Sequence, residues 1–451
     1  MRAKCGRIAS RILAGTALLF GLKGFAQLAT NQPPELSLDQ AIQIALANNR
    51  PLQTTKLNIA KSQWQIAETK TKRLPQFSTE LLAVGDITSP SFTYQKGVFG
   101  TYNNTPVPSK NINISLSNGV TGYAIAKAAQ PISQLYQIHL AVREQELSAD
   151  LAGQKYKENQ QSVVADVKQA YYATLQTESA LDAAKVLVKQ YHETDRVALQ
   201  YVSQESILKS ESLDVKAKLA QAEYQIVTLG DTLNTQKEYL NNLLGRDLDT
   251  PFRPHPVSPV SLEEMDLKIA RQTALQQRPE VKEAEINLSR ATYDRKLAKA
   301  QFIPGVGAEM RYFTPINTAI LPQNILSGGI DMTWEPFDWG RRRDDVKQKT
   351  IGIQQSQYQL AETRSQVVLD VDNTFRKLNE SRALLAVAEA GRDAADEKLR
   401  EVNNQFKHSA VLLRDVLQQE SAVANADQNY EDSLLSFWNA KAAFEKALGE
   451  Q

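Results

Sequence analysis

Two stretches decide the fold: NNRPLQTTKLNIAKSQWQIAETKTKRLPQFS at 48–78 and QQRPEVKEAEINLSRATYDRKLAKAQFIPGVG at 276–307. Arg50-Pro51 answers Arg278-Pro279, Asn58 answers Asn287, Trp64 answers Tyr293 and Leu74-Pro75 answers Ile303-Pro304, with a single-residue gap. Further on, VVADV (163–167) falls on VVLDV (367–371) and Leu244-Gly245 on Leu448-Gly449, both 204 positions apart. The chain is an internal duplication, and a repeat has to be recognised before any fold is assigned.

Each copy has the same order: a helix with a proline near its start, an alternating stretch, then two long helical segments. Small or apolar residues recur at Leu219, Ala222, Ile226, Leu229, Leu233, Leu240 and Leu243, with Gln236 in the one polar slot. The second copy answers with Val423, Ala426, Tyr430, Ser433, Phe437, Ala440, Phe444 and Ala447. Three-four spacing of this kind is a coiled-coil seam. The preceding segment, 133–200, has no proline, and as one helix it would run about 100 Å. Taken alone, these helices fit a rod.

The alternating stretches add what a rod lacks. INISLSNGV (112–120) sets Ile112, Ile114, Leu116 and Val120 against Asn113, Ser115, Ser117 and Gly119. In the second copy Ile330, Met332 and Trp334 alternate with Asp331, Thr333 and Glu335, and Val306, Ala308, Met310 and Tyr312 with Gly307, Glu309, Arg311 and Phe313. Period two predicts strands with one apolar face. Phe77 to Val84 is the expected partner of 112–120, giving one hairpin per copy with tips at 89–110 and 314–327. Strands apolar outside and polar inside suit an outer-membrane barrel, with Glu80, Glu309, Arg311 and Asp331 toward the lumen. A soluble antiparallel sheet covered on one face shows the same alternation. Four strands cannot close a barrel, so it would be shared: two chains give eight strands and three give twelve.

The organisation expected is therefore 1–26 as a signal peptide; 27–245 as a first repeat, with a hairpin at about 77–126 and long helices at about 132–244; 246–262 as a proline-rich linker; and 263–451 as a second repeat, with a hairpin at about 305–337 and long helices at about 339–448. The first 26 residues hold five cations and no acid, residues 12–22 are an apolar run, and Gly24-Phe25-Ala26 offers small residues before a cut near Ala26-Gln27. The one cysteine, Cys5, precedes the apolar run, so no lipidation site is expected and the mature chain has no thiol chemistry.

Of 451 residues, 52 are Lys or Arg and 51 Asp or Glu, and removing the leader leaves 47 cations against 51 acids. No basic block remains to face nucleic acid. The four histidines stand apart, without metal spacing, and no glycine-rich phosphate loop is present. No catalytic, cofactor or metal site is expected. The run Trp334, Phe337, Trp339, Arg341 reads as a membrane-interface belt, or as a helix start capped by Asp338 with exposed arginines.

With these features in place, the chain resembles the TolC-like outer-membrane efflux proteins. The resemblance rests on LSLDQAIQIALANNRPLQ (36–53), RLPQFS (73–78), QPIS (130–133), LLGRDLDTP (243–251), RPEVKEAE (278–285), FIPGVG (302–307), WEPFDWGRRR (334–343) and LLRDVLQQE (412–420). It implies a mainly α fold with β: a homotrimer whose twelve-stranded outer-membrane barrel continues into a periplasmic barrel of twelve coiled-coil helices. It implies passive export from a tripartite efflux or type I secretion assembly, with a periplasmic adaptor and an inner-membrane pump as partners. It places a gate where the long helices turn back, at Phe406 and Asp415, where a threefold ring of carboxylates would favour cations. The chain departs from the family pattern there. Ser409 stands where relatives have Gly, Gln418 replaces a second acid, Val411 replaces an Arg, and the first copy has Ser210 beside Glu211 at the equivalent place. A soluble periplasmic coiled-coil scaffold is the competing expectation.

Overall fold

The computed structural model describes residues 33–450 apart from 86–90, 116–119, 205–207, 257–265, 318–321 and 409. The signal-peptide expectation, the end of the linker and Ser409 lie outside the described residues. Element order repeats with the duplication. The first copy runs β1 (Glu35–Leu36), α1 (Leu38–Asn48), α2 (Arg50–Thr71), β2 (Gln76–Gly85), then β3 (Ser91–Tyr94), β4 (Thr101–Tyr102), β5 (Thr105–Pro106) and β6 (Ile112–Ser115), then β7 (Val120–Pro131), α3 (Gln134–Ser203) and α4 (Lys209–Leu243). After β8 (Arg253–Pro254) come α5 (Leu267–Gln277), α6 (Pro279–Ala300), β9 (Gly305–Ile316), β10 (Ile325–Thr333), α7 (Arg341–Lys407) and α8 (Leu413–Leu448).

Local chemistry sets the helix starts. Ser37 accepts from the Gln40 N–H while the Gln40 side chain accepts from the Ser37 N–H, a reciprocal cap on α1. Asn49 accepts from the Leu52 N–H, and Pro51 sits in the first turn of α2, where a missing N–H costs nothing. Asp266 caps α5, and Pro279 opens α6. α3 and α7 have 70 and 67 residues, α4 and α8 35 and 36. No described helix is long and apolar enough to cross a membrane.

The main core lies where the long helices pass the short ones. Val167 and Val371, Val163 and Val367, and Leu244 and Leu448 are equivalent residues of the two copies, and all are buried in one cluster. Each copy ends on a left-handed glycine, Gly245 (φ 69°) and Gly449 (φ 85°), turned against the junction of its own two short helices. Tyr171, fully buried, places its hydroxyl 2.8 Å from Leu36 O and 2.7 Å from His255 O, so the parallel pair β1–β8 straps the linker across the core. Burial pushes this phenol up to about 12.

The sheet corrects one expectation. Its order is β10-β9-β7-β2, all neighbours antiparallel, so β2 pairs with 120–131 rather than with 112–120. Ile112–Ser115 instead pairs with Ser91–Tyr94 inside the connection between β2 and β7. The alternation at 112–115 is that of a real strand, but its partner is local. The second connection is also shorter than 314–327, because β9 runs to Ile316 and β10 starts at Ile325.

Candidate functional site

The registers sort every strand residue onto one of two faces, because residues paired across an antiparallel ladder point the same way. One face carries Phe77, Leu81, Met310, Leu326, Ile330 and Met332, with Ala124, Ala126 and Ala128 between them on β7. Phe77, Ile330 and Leu81 are 81%, 77% and 72% exposed. An open apolar surface of this kind marks an interaction with lipid or protein. Among the described residues of these strands this face bears no charge.

The opposite face carries Glu80, Lys127, Glu309, Arg311 and Asp331. The four residues singled out in the sequence thus share a face, and Lys127 joins them. Lys127 lies directly across from Arg311 in the register, an unfavourable like-charge pair. Glu309 relieves it: its carboxylate is 2.6 Å from Lys127 Nζ and 2.8 Å from Arg311 Nη2. Glu80 accepts from the Tyr123 hydroxyl at 3.0 Å, and the Tyr123 ring meets Phe313 at 5.9 Å. Gly307 makes room for Asp331, since a Cβ there would come within 2.6 Å of Asp331 Oδ1. Toward the connection end of the same face the lining turns apolar, with Leu82, Val84, Ile125 and Ile325. Lys127 escaped the sequence reading because AIAKAAQ has no apolar alternation and reads as readily as helix.

Among the described residues, β2 and β10 each have one edge with no strand paired to it, and the sheet has four strands. Such edges demand further strands or a cover.

At the junction of β10 and α7, Trp334, Phe337 and Trp339 are exposed, Trp339 at 89%, with Phe337 and Trp339 edge to face at 4.8 Å. Trp339 holds a left-handed backbone (φ 57°) just before Gly340. Asp338 accepts from the N–H groups of Gly340 (3.1 Å) and Arg342 (3.0 Å), which with the nearby arginines holds its carboxyl below the usual range. Arg342 is buried and paired with Asp338 and Glu335, while Arg341 reaches Glu335 at 2.9 Å from a mostly exposed position. The arginines therefore brace the helix start, Arg342 being buried rather than exposed, and the aromatics stand clear of the protein.

At the far end of the long helices, Asp415 accepts from the Leu412 N–H at 3.0 Å and donates its own N–H back to Leu412 O at 3.0 Å, so within one chain it caps α8. Glu211 sits in the first turn of α4, its N–H on Leu208 O at 3.1 Å. Ser210 and Gln418 are exposed. Phe406 packs against Tyr191, Ala198, Val215, Ala222 and Leu417, the cluster in which the two helical hairpins meet. Its ring is engaged in packing there.

Residues 270–450 match the family model described as outer membrane efflux protein. The alkaline protease secretion protein AprF of Pseudomonas aeruginosa is 20% identical over 306 residues, 64% of this chain and 62% of AprF, so the match spans about three fifths of that relative's length. The protein CyaE of Bordetella pertussis is 24% identical over 359 residues, 77% of this chain and 70% of CyaE. Among solved structures, CusC, described in connection with transmembrane channel formation, superposes with a TM-score of 0.75 at 17% identity over 92% of each chain. The first copy, outside the matched family residues, carries the same fold as the second.

Proposed function

We propose that this chain, which carries the outer membrane efflux protein domain in its second copy and the TolC-like fold throughout, is the outer-membrane exit duct of an export assembly. The observation that carries the proposal is the four-stranded sheet, with two open edges, an exposed apolar face and a charged opposite face, continuing into helices of 70 and 67 residues. Pairing β2 of one copy with β10 of the next satisfies both edges, and three copies give twelve strands, within the range of bacterial barrels. The apolar face then meets lipid and the face with Glu80, Lys127, Glu309, Arg311 and Asp331 lines the lumen. A soluble scaffold would leave Phe77, Leu81 and Ile330 in water.

The duct's role is passive: cargo, whether small molecules or proteins, passes from an inner-membrane pump through a periplasmic adaptor. The helical tip around Asp415 and Glu211 is the entrance. Trp334, Phe337 and Trp339 stand at the periplasmic boundary of the membrane, where amphipathic rings are favoured.

The decisive experiment is the mass of the particle extracted by detergent from outer-membrane fractions, corrected for bound detergent, followed by conductance in planar bilayers. Three chains and a steady cation-preferring current are expected. A water-soluble monomer or dimer recovered without detergent would overturn the duct.

A further inference from the structure

The helical hairpins of the two copies meet along α3 and α8, and polar contacts punctuate an otherwise largely apolar seam. Gln176 Nε2 donates to Asp432 Oδ1 at 2.7 Å, Ser179 Oγ to Glu431 Oε1 at 3.3 Å, and Gln190 Nε2 to Glu420 Oε1. Between the last two contacts the seam opens into a cavity of about 390 Å³, to which all four long helices contribute. Ala184, Leu187, Leu399, Val423 and Ala424 form its apolar wall. Glu420, Asp427 and Glu431 line it from one face of α8, and no Lys, Arg or His is among its described lining residues.

Glu420 is only 6% exposed, and its second oxygen, Oε2, is buried with no hydrogen-bond partner among the described residues. A buried carboxyl oxygen in this state is unfavourable whether the group is ionised or protonated. Burial pushes the carboxyls of Glu420, Asp427 and Glu431 up; Asp396 adds to this at Asp427, and Arg392 on α7 opposes it at Asp427 and Glu431. Arg392 is itself stacked 4.1 Å over the Tyr430 ring. What the cavity lacks is a positively charged donor. A metal ion does not fit, because no three acidic or histidine side chains among the described residues are grouped to hold one and half the wall is hydrocarbon. The volume suits a small molecule.

We propose that this intrachain cavity binds a compact organic cation, an N–H-bearing ammonium or amidinium on a small apolar body, with its charge on Glu420 and its body against Ala424 and Leu187. Every one of its described lining residues belongs to the same chain. The test is calorimetric titration of the full detergent-solubilised chain with benzamidinium and with its neutral isostere benzamide. Saturable binding of one benzamidinium per chain is expected, with benzamide weaker by at least about tenfold. Glu420→Gln, which keeps the Gln190 contact, should weaken benzamidinium by a similar factor. Ala424→Leu, which fills the apolar side, should abolish binding while particle mass and helical ellipticity stay unchanged. Absence of saturable binding, equal binding of the two probes, or unchanged affinity in Glu420→Gln would overturn the proposal.

Discussion

Lys127 Nζ and Glu309 Oε2 lie 2.6 Å apart across the β7–β9 ladder, where the sheet strand of the first copy is hydrogen-bonded to that of the second. The same carboxylate holds Arg311, so one acid neutralises two cations that the register sets side by side.

Glu309→Gln leaves Lys127 and Arg311 facing each other. The cost in stability should be small, because the pair stays in contact with solvent. The larger effect is on the duct: each chain loses one of the three acids on this face, and the reversal potential in a salt gradient should move toward anions. An unmoved reversal potential would argue that this face does not line the path.

Met332 and Asp331 are adjacent and point to opposite faces. Met332→Arg should destabilise the membrane-inserted assembly by about 2–4 kcal/mol if that face meets lipid, whereas Asp331→Asn should leave assembly intact. Urea unfolding in lipid vesicles measures the difference. Equal behaviour of the two variants would count against the orientation.

Gly245 and Gly230 make a matched pair. A Cβ at Gly245 would lie 2.3 Å from the backbone oxygen of Asn48, and its φ is 69°. Gly245→Ala should therefore cost about 1–2 kcal/mol from the backbone alone, and more from the clash. At Gly230, inside α4, nothing lies within 4 Å, so Gly230→Ala should gain about 0.5–1 kcal/mol. Thermal midpoints moving in the same direction would contradict this.

Glu283 on α6 is held at about 7, chiefly by burial and then by the nearby Glu158, with Lys155 opposing. The fold thus prefers the protonated carboxyl. Its penalty is absent below the ordinary value of 4.5, grows as pH rises toward about 7, and is constant above. Glu283→Gln should match the unmodified chain at pH 4.5 and exceed it by about 1–2 kcal/mol at pH 8. Thermal unfolding at several pH values checks the window; a gain appearing only below pH 5 would refute the sign.

Asp415 combines a charge with a cap, and two substitutions separate them. Asp415→Asn keeps an acceptor for the Leu412 N–H but removes the charge, while Asp415→Ala removes both, at about 0.3–1.5 kcal/mol of local helix stability. If charge at the entrance governs conduction, both lower cation preference alike. If the cap governs, only Asp415→Ala changes the current.

Much of the fold is legible in short-range pattern. Three-four spacing marks α4 and α8, and period two marks β9 and β10, where the alternating apolar residues are mostly large. β7 shows no alternation along the chain because the residues on its uncharged face are Gly122, Ala124, Ala126 and Ala128, too small to make an apolar stripe, while its other face mixes Tyr123, Ile125 and Lys127. Seen without a partner, 112–120 alternates more clearly, and only the ladders place 112–115 in the connection and Val120 on β7. Lys127 was lost with its strand. Phe406 stands beside the turn between α7 and α8, and only the structure shows that its ring packs against the cluster joining the two hairpins.

The sequence by itself determined the duplication, from matched residues at a fixed offset, and the coiled-coil seams and shared faces of β9 and β10, which follow from periods of 3.6 and 2 along one segment. Only the tertiary structure decided strand order and register, the Glu309 bridge, the Asp415 cap contact, the burial of Arg342, and the cavity beside Glu420. Those depend on which distant segments meet, and a pairing between residues 182 positions apart, as Lys127 and Glu309 are, leaves no local periodicity to read.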